Sequence, residues 1–259
     1  MVDELSFLYN DDEKIKYSRI EEKALIALNN FRAEPVDFLD PFWQEMSVSI
    51  AQKYDDLKAI FFGGMDNAEN KYLVFCPWYM DLEAKDFISI ICFDNPYDDI
   101  KHSDVLGKLL SLGIDRRTLG DILVGEKVYI VVSKSVESFL LTEFRDIRRH
   151  GIIPYTVDRA PSIIKDSYKE TSVIVPSLRL DAIVSKVYNI SRSQAQGKIE
   201  NGLLKLNYRV VDKPATELKE DSLISLRSFG RVKVKEVVGQ TQKGNLRLKV
   251  ERLIWFMFL

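Results

Sequence analysis

The stretch that decides the fold is SLRLDAIVSKVY (177–188), followed by SRSQAQGKIENG (191–202) and LLKLNYRVV (203–211). Leu180, Ile183, Val184 and Val187 recur at helical spacing and give the first segment one apolar face. Ser191 suits the N-cap of a second helix, and Gln194 stands three residues on, where a capping box wants its partner. Ala195 and Ile199 are one turn apart and pack inward. Arg192 and Gln196, also one turn apart, project beside that face toward solvent. Gly202 stands where a helix end calls for a left-handed residue. Lys198, Lys205 and Arg209 then follow at short intervals on the helix and the strands beyond it. The segment reads as a small basic unit of two helices and strands.

The charge distribution points to the partner of that unit. The 259 residues carry a formal net charge of −2, yet residues 178–259 hold 16 Lys and Arg against 8 Asp and Glu. Residues 1–177 hold 21 against 31. The split argues for a polyanion bound at the C-terminal end alone. A helix N-terminus with unsatisfied N–H groups, set beside guanidinium and ammonium groups, suits phosphate oxygens. Arginine is the better residue there, because its planar fork engages phosphate bidentately.

Working outward, the first seventy residues read as helical. Ile20, Ala24, Ala27, Leu28 and Phe31 make one helix face, which Glu34-Pro35 ends. Asp40-Pro41 opens a second helix through about Tyr54 as N-cap and first-turn proline. From Tyr72 the pattern turns to short β-rich runs at 73–76 and 87–93. A helix at 102–112, strands at 121–124 and 128–132, a helix at 135–150 and a strand at 152–157 complete the order of a ferredoxin-like α+β sandwich. That topology also serves RNA-recognition modules, but the glycine-aromatic run that stacks bases is missing. The expected organisation is α+β: a helical subdomain (1–70), an RRM-like α/β sandwich (71–160), a connector (161–176) and the basic unit with a C-terminal β-hairpin (177–259).

The pattern Arg179-Leu180-Asp181, then Ser191-Arg192 with Ala195, Gly202 and Lys205 to Asn207, resembles the S4 RNA-binding domain, with Pro214, Asp221 and the strand 223–226 as later features. One departure stands out: the Asn-Gly turn common in that family is Asn207-Tyr208 here. Phe38-Leu39-Asp40-Pro41, Gly63-Gly64 with Ala68-Glu69, His102-Ser103-Asp104, Leu112-Gly113-Ile114 and Gly120 to Val124 resemble the bacterial YlmH family, in which a helical segment and an RRM-like domain precede an S4 module. The resemblance implies a cytoplasmic RNA-binding protein of Gram-positive-type bacteria, encoded among division genes. It also implies association with the large ribosomal subunit carrying stalled peptidyl-tRNA, as in ribosome quality control. The expected partners are therefore structured rRNA and peptidyl-tRNA, with no DNA, no membrane and a monomeric chain. The expected RNA contacts are Arg179, Ser191, Arg192, Ser193, Gln194, Gln196, Lys198, Lys205, Asn207 and Arg209.

The plainer readings stand beside these. On the plainer reading Arg179 and Asp181 are a local ion pair worth little to stability, while their place in the motif gives an RNA role at least equal weight. Lys233, Lys235, Lys243, Arg247 and Lys249 either extend the RNA footprint or protect a sheet edge. Arg116-Arg117 and the cluster Arg145, Arg148, Arg149 and His150 read as surface structure. Cys76 and Cys92 read as core thiols of a reducing compartment. No catalytic residue, cofactor or metal site is expected, since two histidines and two separated cysteines supply triads and zinc sites poorly. A cell-division scaffold and an RNA-modifying enzyme with a site in 72–160 are the alternatives.

Overall fold

The computed structural model describes residues 11–96, 99–161 and 168–253, so the acidic start and the apolar tail beyond Leu253 lie outside the described residues. The chain divides into two compact units that part near residue 165.

In the first unit, α1 (Asp11–Asn30) stops before Phe31, whose φ of 50° breaks the helical path. β1 (Glu34–Leu39) follows, then α2 (Pro41–Ala51), β2 (Leu57–Phe62) and β3 (Lys71–Pro77). Asp40 caps α2 by accepting a hydrogen bond from the Trp43 N–H, with Pro41 in the first turn. The expectation of a purely helical subdomain ending at residue 70 is corrected here. β1, β3 and β2 form one antiparallel sheet in that order, so a boundary between 70 and 71 separates strands that pair with each other. Pro35 is tolerated because β1 is an edge strand with a register shift after it.

β4 (Ile88–Asp94), α3 (His102–Ser111), β5 (Leu119–Val124), β6 (Lys127–Ser133), α4 (Glu137–Glu143), β7 (Asp146–Ile147), β8 (His150–Gly151) and β9 (Tyr155–Val157) build the second half of this unit. The sheet order β5-β6-β4-β9, antiparallel throughout, is the ferredoxin-like arrangement. The helix expected through His150 ends at Glu143 instead. Residues 146–151 make a small hairpin, with Arg148 at a φ of 53°.

One face of this sheet, with Ile91, Phe93, Val128 and Ile130, packs under α3 and α4 against Val105, Leu109, Leu140 and Phe144. The opposite face presents Ile88, Ile90 and Val131, which are covered by Phe38, Met65, Ala68, Tyr72 and Val74 of the preceding segment. Cβ atoms are excluded at the contact: one added at Gly120 would lie 2.6 Å from Phe38 Cε1, and one at Gly64 would lie 2.8 Å from Val131 Cγ1. Asp121 locks the same seam, accepting from the Glu69 N–H at 2.6 Å and from the Asn70 side-chain amide at 2.6 Å.

In the second unit, β10 (Tyr168–Val175) precedes α5 (Leu180–Val187), α6 (Arg192–Glu200), β11 (Leu204–Leu206), β12 (Arg209–Val210), β13 (Leu223–Leu226), β14 (Gly230–Gln240) and β15 (Leu246–Leu253). The sheet runs β10-β15-β14-β13-β11-β12. The connector expected at 161–176 is thereby corrected, because its second half is a sheet strand paired with β15 from end to end. α5 and α6 pack Leu180, Ile183, Val184, Ala195 and Ile199 on Leu204, Ile224, Val232 and Val250. The C-terminal fold is thus an αα-β unit in an α+β protein.

Candidate nucleic-acid interface

The local chemistry of α6 is what its residues require. Ser191 Oγ accepts from the Gln194 N–H at 3.1 Å, and Gln194 Oε1 accepts from the Ser191 N–H at 3.0 Å. At the other end Gly202 has a φ of 67°. The Leu203 N–H returns to the Lys198 carbonyl and the Gly202 N–H to that of Ile199, a Schellman closure. Ser191 and Gln194 are therefore spent on the cap. By helix geometry the amides of Arg192 and Ser193 at the first two positions have no intrahelical acceptor.

The start of α5 is strapped to a later loop: the Leu180 N–H donates to Thr216 O and the Asp181 N–H to Pro214 O. This strap buries Asp181 completely, at 0% exposure. Its carboxylate then collects three side chains. Arg179 donates through Nε at 3.2 Å and Nη2 at 3.0 Å. Arg192 donates through Nε at 3.1 Å and Nη2 at 3.2 Å, and Gln196 through Nε2 at 2.9 Å. Burial alone pushes the Asp181 carboxyl up, but the donors from Arg179, Arg192 and Gln196 outweigh it and hold the group well below the usual carboxylate range.

Both arginines bind Asp181 edge-on, so the Nη1–Nη2 edge of each guanidinium remains for a second acceptor. Their side chains are 42% and 51% exposed. The result is two arginines held in register by one buried carboxylate, with a net charge of +1, beside the N-terminus of α6. Arg179 and Asp181, for which the sequence left a minor local pair as the plainer reading, are the organising centre of this surface.

The remaining expected residues lie apart from it. Lys198 Nζ sits 4.9 Å from the centroid of Phe229, whose ring meets Tyr188 edge-on. Lys205 is exposed on β11 between Leu204 and Leu206, which belong to the core, so it projects from the sheet face turned away from the helices. Asn207 turns the β11–β12 hairpin: its N–H donates to Leu223 O and its Oδ1 accepts from the Leu223 N–H, both at 2.8 Å. Arg209 pairs in register with Leu206, not with Lys205. The expected residues thus fall in two areas, an Arg179–Arg192–Gln196 cluster and a hairpin bearing Lys205. Tyr208 in the hairpin turn and Arg231 on β14 were not singled out as contacts, because only the pairing of β13 with both β11 and β14 brings Arg231 within reach of the turn.

Several other basic groups are taken up by the fold. Lys233 pairs with Asp221 at 2.9 Å, and Lys249 with Glu170 at 3.0 Å across β10 and β15. Arg148 donates to Asp99 O at 2.6 Å, beside the His150–Asp99 contact at 2.9 Å. Among the described residues no cluster of three or more His, Cys, Asp or Glu could hold a metal ion. Among them also, no helix is long and apolar enough to cross a membrane.

The comparisons with known proteins agree with this division. Residues 83–158 match the family described as the putative RNA-binding domain in YlmH, and residues 178–224 match the S4 domain. The chain is 29% identical over 253 residues to the "Ribosome-associated protein quality control protein P2" of Bacillus subtilis (strain 168), covering 94% of this chain and 96% of that one. A solved structure, the "Cell division protein ylmH from Streptococcus pneumoniae", superimposes with a TM-score of 0.52 at 18% identity, over 57% of this chain and 93% of the other. That last likeness concerns the fold alone. The class is an S4-domain RNA-binding protein with a second RNA-binding module before it. The chain carries both of these domains in that order and is similar to the Bacillus subtilis protein over nearly its full length.

Proposed function

We propose that this protein is a non-catalytic, ribosome-associated factor of the bacterial cytoplasm, and that its S4 domain grips folded rRNA or tRNA by the phosphate backbone. The observation that carries the reading is the Asp181-centred pair Arg179 and Arg192. One edge of each guanidinium is fixed, so the other is pre-oriented for phosphate at little cost in side-chain entropy. Ser193, at the open end of α6, and Gln196 border that surface. Lys198, Lys205 and Arg209 supply further positive charge, and Asn207 shapes the hairpin that carries Lys205.

On this reading the target is the large ribosomal subunit with peptidyl-tRNA, bound by a single copy of the chain; the likeness to a ribosome-associated quality control protein supports a ribosomal partner. The non-catalytic reading draws support from the two matched families, both RNA-binding modules. In the RRM-like half, the sheet face on which such modules stack bases is occupied at Ile88, Ile90 and Val131 by the protein's own Phe38, Met65 and Tyr72. Any RNA contact of that half therefore uses a different surface.

The test is charge reversal at Arg192→Glu together with Lys205→Glu. Under conditions where circular dichroism shows the variant folded, co-sedimentation with purified large subunits is expected to fall at least tenfold. Undiminished co-sedimentation would contradict the reading. Capture of division proteins that survives both nuclease and this charge reversal would favour the scaffold alternative.

A further inference from the structure

The hairpin of β11 and β12 is joined by two residues, Asn207 with a φ of 48° and Tyr208 with a φ of 71°. A turn with two left-handed residues matches the twist of its strands, and its preferred sequence is Asn followed by Gly. Asn207 meets the first requirement and bonds Leu223 twice, which ties the turn to β13. Tyr208 violates the second. An aromatic residue in the left-handed region carries a steric cost that glycine avoids. Backbone strain of this kind persists where the side chain has work that the turn does not.

The surroundings of the ring indicate that work. The Arg231 guanidinium lies 6.0 Å from its centroid. In the strand register Lys205 faces Ser225, and Ser225 faces Arg231. Lys205 and Arg231 thus share one sheet face, on the side away from α5 and α6. An aromatic ring beside an arginine, on a tethered turn whose sheet face also carries a lysine, is the composition that holds an unpaired base by stacking and its backbone by charge.

We propose that Tyr208 is a base-stacking platform, so that the preferred ligand is RNA carrying an unpaired base, in a loop or bulge, next to a helical stem. The proposal rests on the reading of the C-terminal unit as RNA-binding and specifies what that unit selects. The Arg179–Arg192 cluster takes the phosphates of the stem, and the Tyr208 hairpin takes the extruded base.

Three substitutions in the full-length chain test this, with rRNA extracted from purified large subunits as the probe. Tyr208→Phe keeps the ring and is expected to bind within about twofold of wild type. Tyr208→Leu keeps the backbone cost without a stacking face, and Tyr208→Gly removes both. Each is expected to weaken binding roughly tenfold, within the range of one base stacked on an aromatic side chain. Tyr208→Gly is also expected to raise the thermal midpoint by about 2–5 °C, as relief of left-handed strain should. Ultraviolet crosslinking followed by mass spectrometry should place a nucleotide on the peptide containing Tyr208. Leu and Gly variants that bind like wild type, while Arg192→Glu weakens binding, would overturn the stacking role and leave the S4 reading standing. A wild-type chain that fails to bind the rRNA would overturn both.

Discussion

Asp181→Asn is expected to lower the stability of the C-terminal unit by about 2–3 kcal/mol and, under conditions where the variant is folded, to weaken RNA binding roughly tenfold. The substitution preserves shape but replaces a carboxylate oxygen with an NH₂ group facing the donors of Arg179 and Arg192. Breaking a buried ion pair outright costs about 3–5 kcal/mol, and the half-exposed arginines recover part of that by rehydration. The pH dependence gives a second check. The folded-state carboxyl sits below its ordinary value, so its contribution is present in full above the unfolded pKa of about 3.9. It is lost as the pH falls through the lower, folded value. Denaturant titrations should show a constant gap between wild type and Asp181→Asn from pH 5 to pH 8, closing in acid below about pH 4. A gap that is absent at neutral pH would mean that Asp181 organises nothing.

The second large effect is expected at the seam of the N-terminal unit. Gly120→Ala should destabilise that unit by about 2–3 kcal/mol, because overpacking a filled core costs about 1–3 kcal/mol and the new methyl meets ring and backbone-anchored atoms. Its Cβ would lie 2.6 Å and 2.9 Å from Phe38 ring carbons and 3.1 Å from Val131 Cβ. Gly107 is the control within the same unit. It lies mid-helix in α3 with nothing within 4 Å of an added Cβ. Gly107→Ala should therefore stabilise by roughly 0.5–1 kcal/mol, the entropy that glycine costs a helix interior. Opposite signs for two Gly→Ala changes, read by chemical denaturation, would establish that the RRM-like sheet is closed off by the segment before it. Matching signs would show that the seam is loose.

Much of the C-terminal unit is legible in the sequence because its determinants are local. The capping box of Ser191 and Gln194, the closure at Gly202 and the inward pair Ala195 and Ile199 each depend on residues within one or two turns. What escapes is non-local. β10 looks like a linker because the strand that completes it, β15, lies more than seventy residues further on. β1 is hidden by Pro35, which reads as a helix stop without disclosing that an edge strand begins there. The RRM-like order is readable, but the covering of its sheet is not, since that depends on Gly64 and Gly120 leaving room for Phe38 and Val131 to close.

The interface shows the same division. Spacing places Arg192 beside Gln196 on one helix face, yet the carboxylate that binds both belongs to another helix, eleven residues before Arg192. Asp181 reads as a minor partner of Arg179 until the loop at Pro214 and Thr216 buries it. Charge counting over 178–259 identifies a basic unit but cannot separate Lys233 and Lys249, spent on Asp221 and Glu170, from Lys205, which stands exposed. Tyr208 is visible as a departure from Asn-Gly. Its meaning depends on the register that brings Arg231 alongside.

The measurement that bears most directly on the central claim is the affinity of the full-length chain for large-subunit rRNA across a series of salt concentrations. If Arg179, Arg192, Lys198, Lys205 and Arg209 each neutralise a phosphate, about five counterions are released and the log–log slope falls between about −3 and −5. Arg192→Glu should make that slope shallower by about one. A flat response to salt would contradict the account.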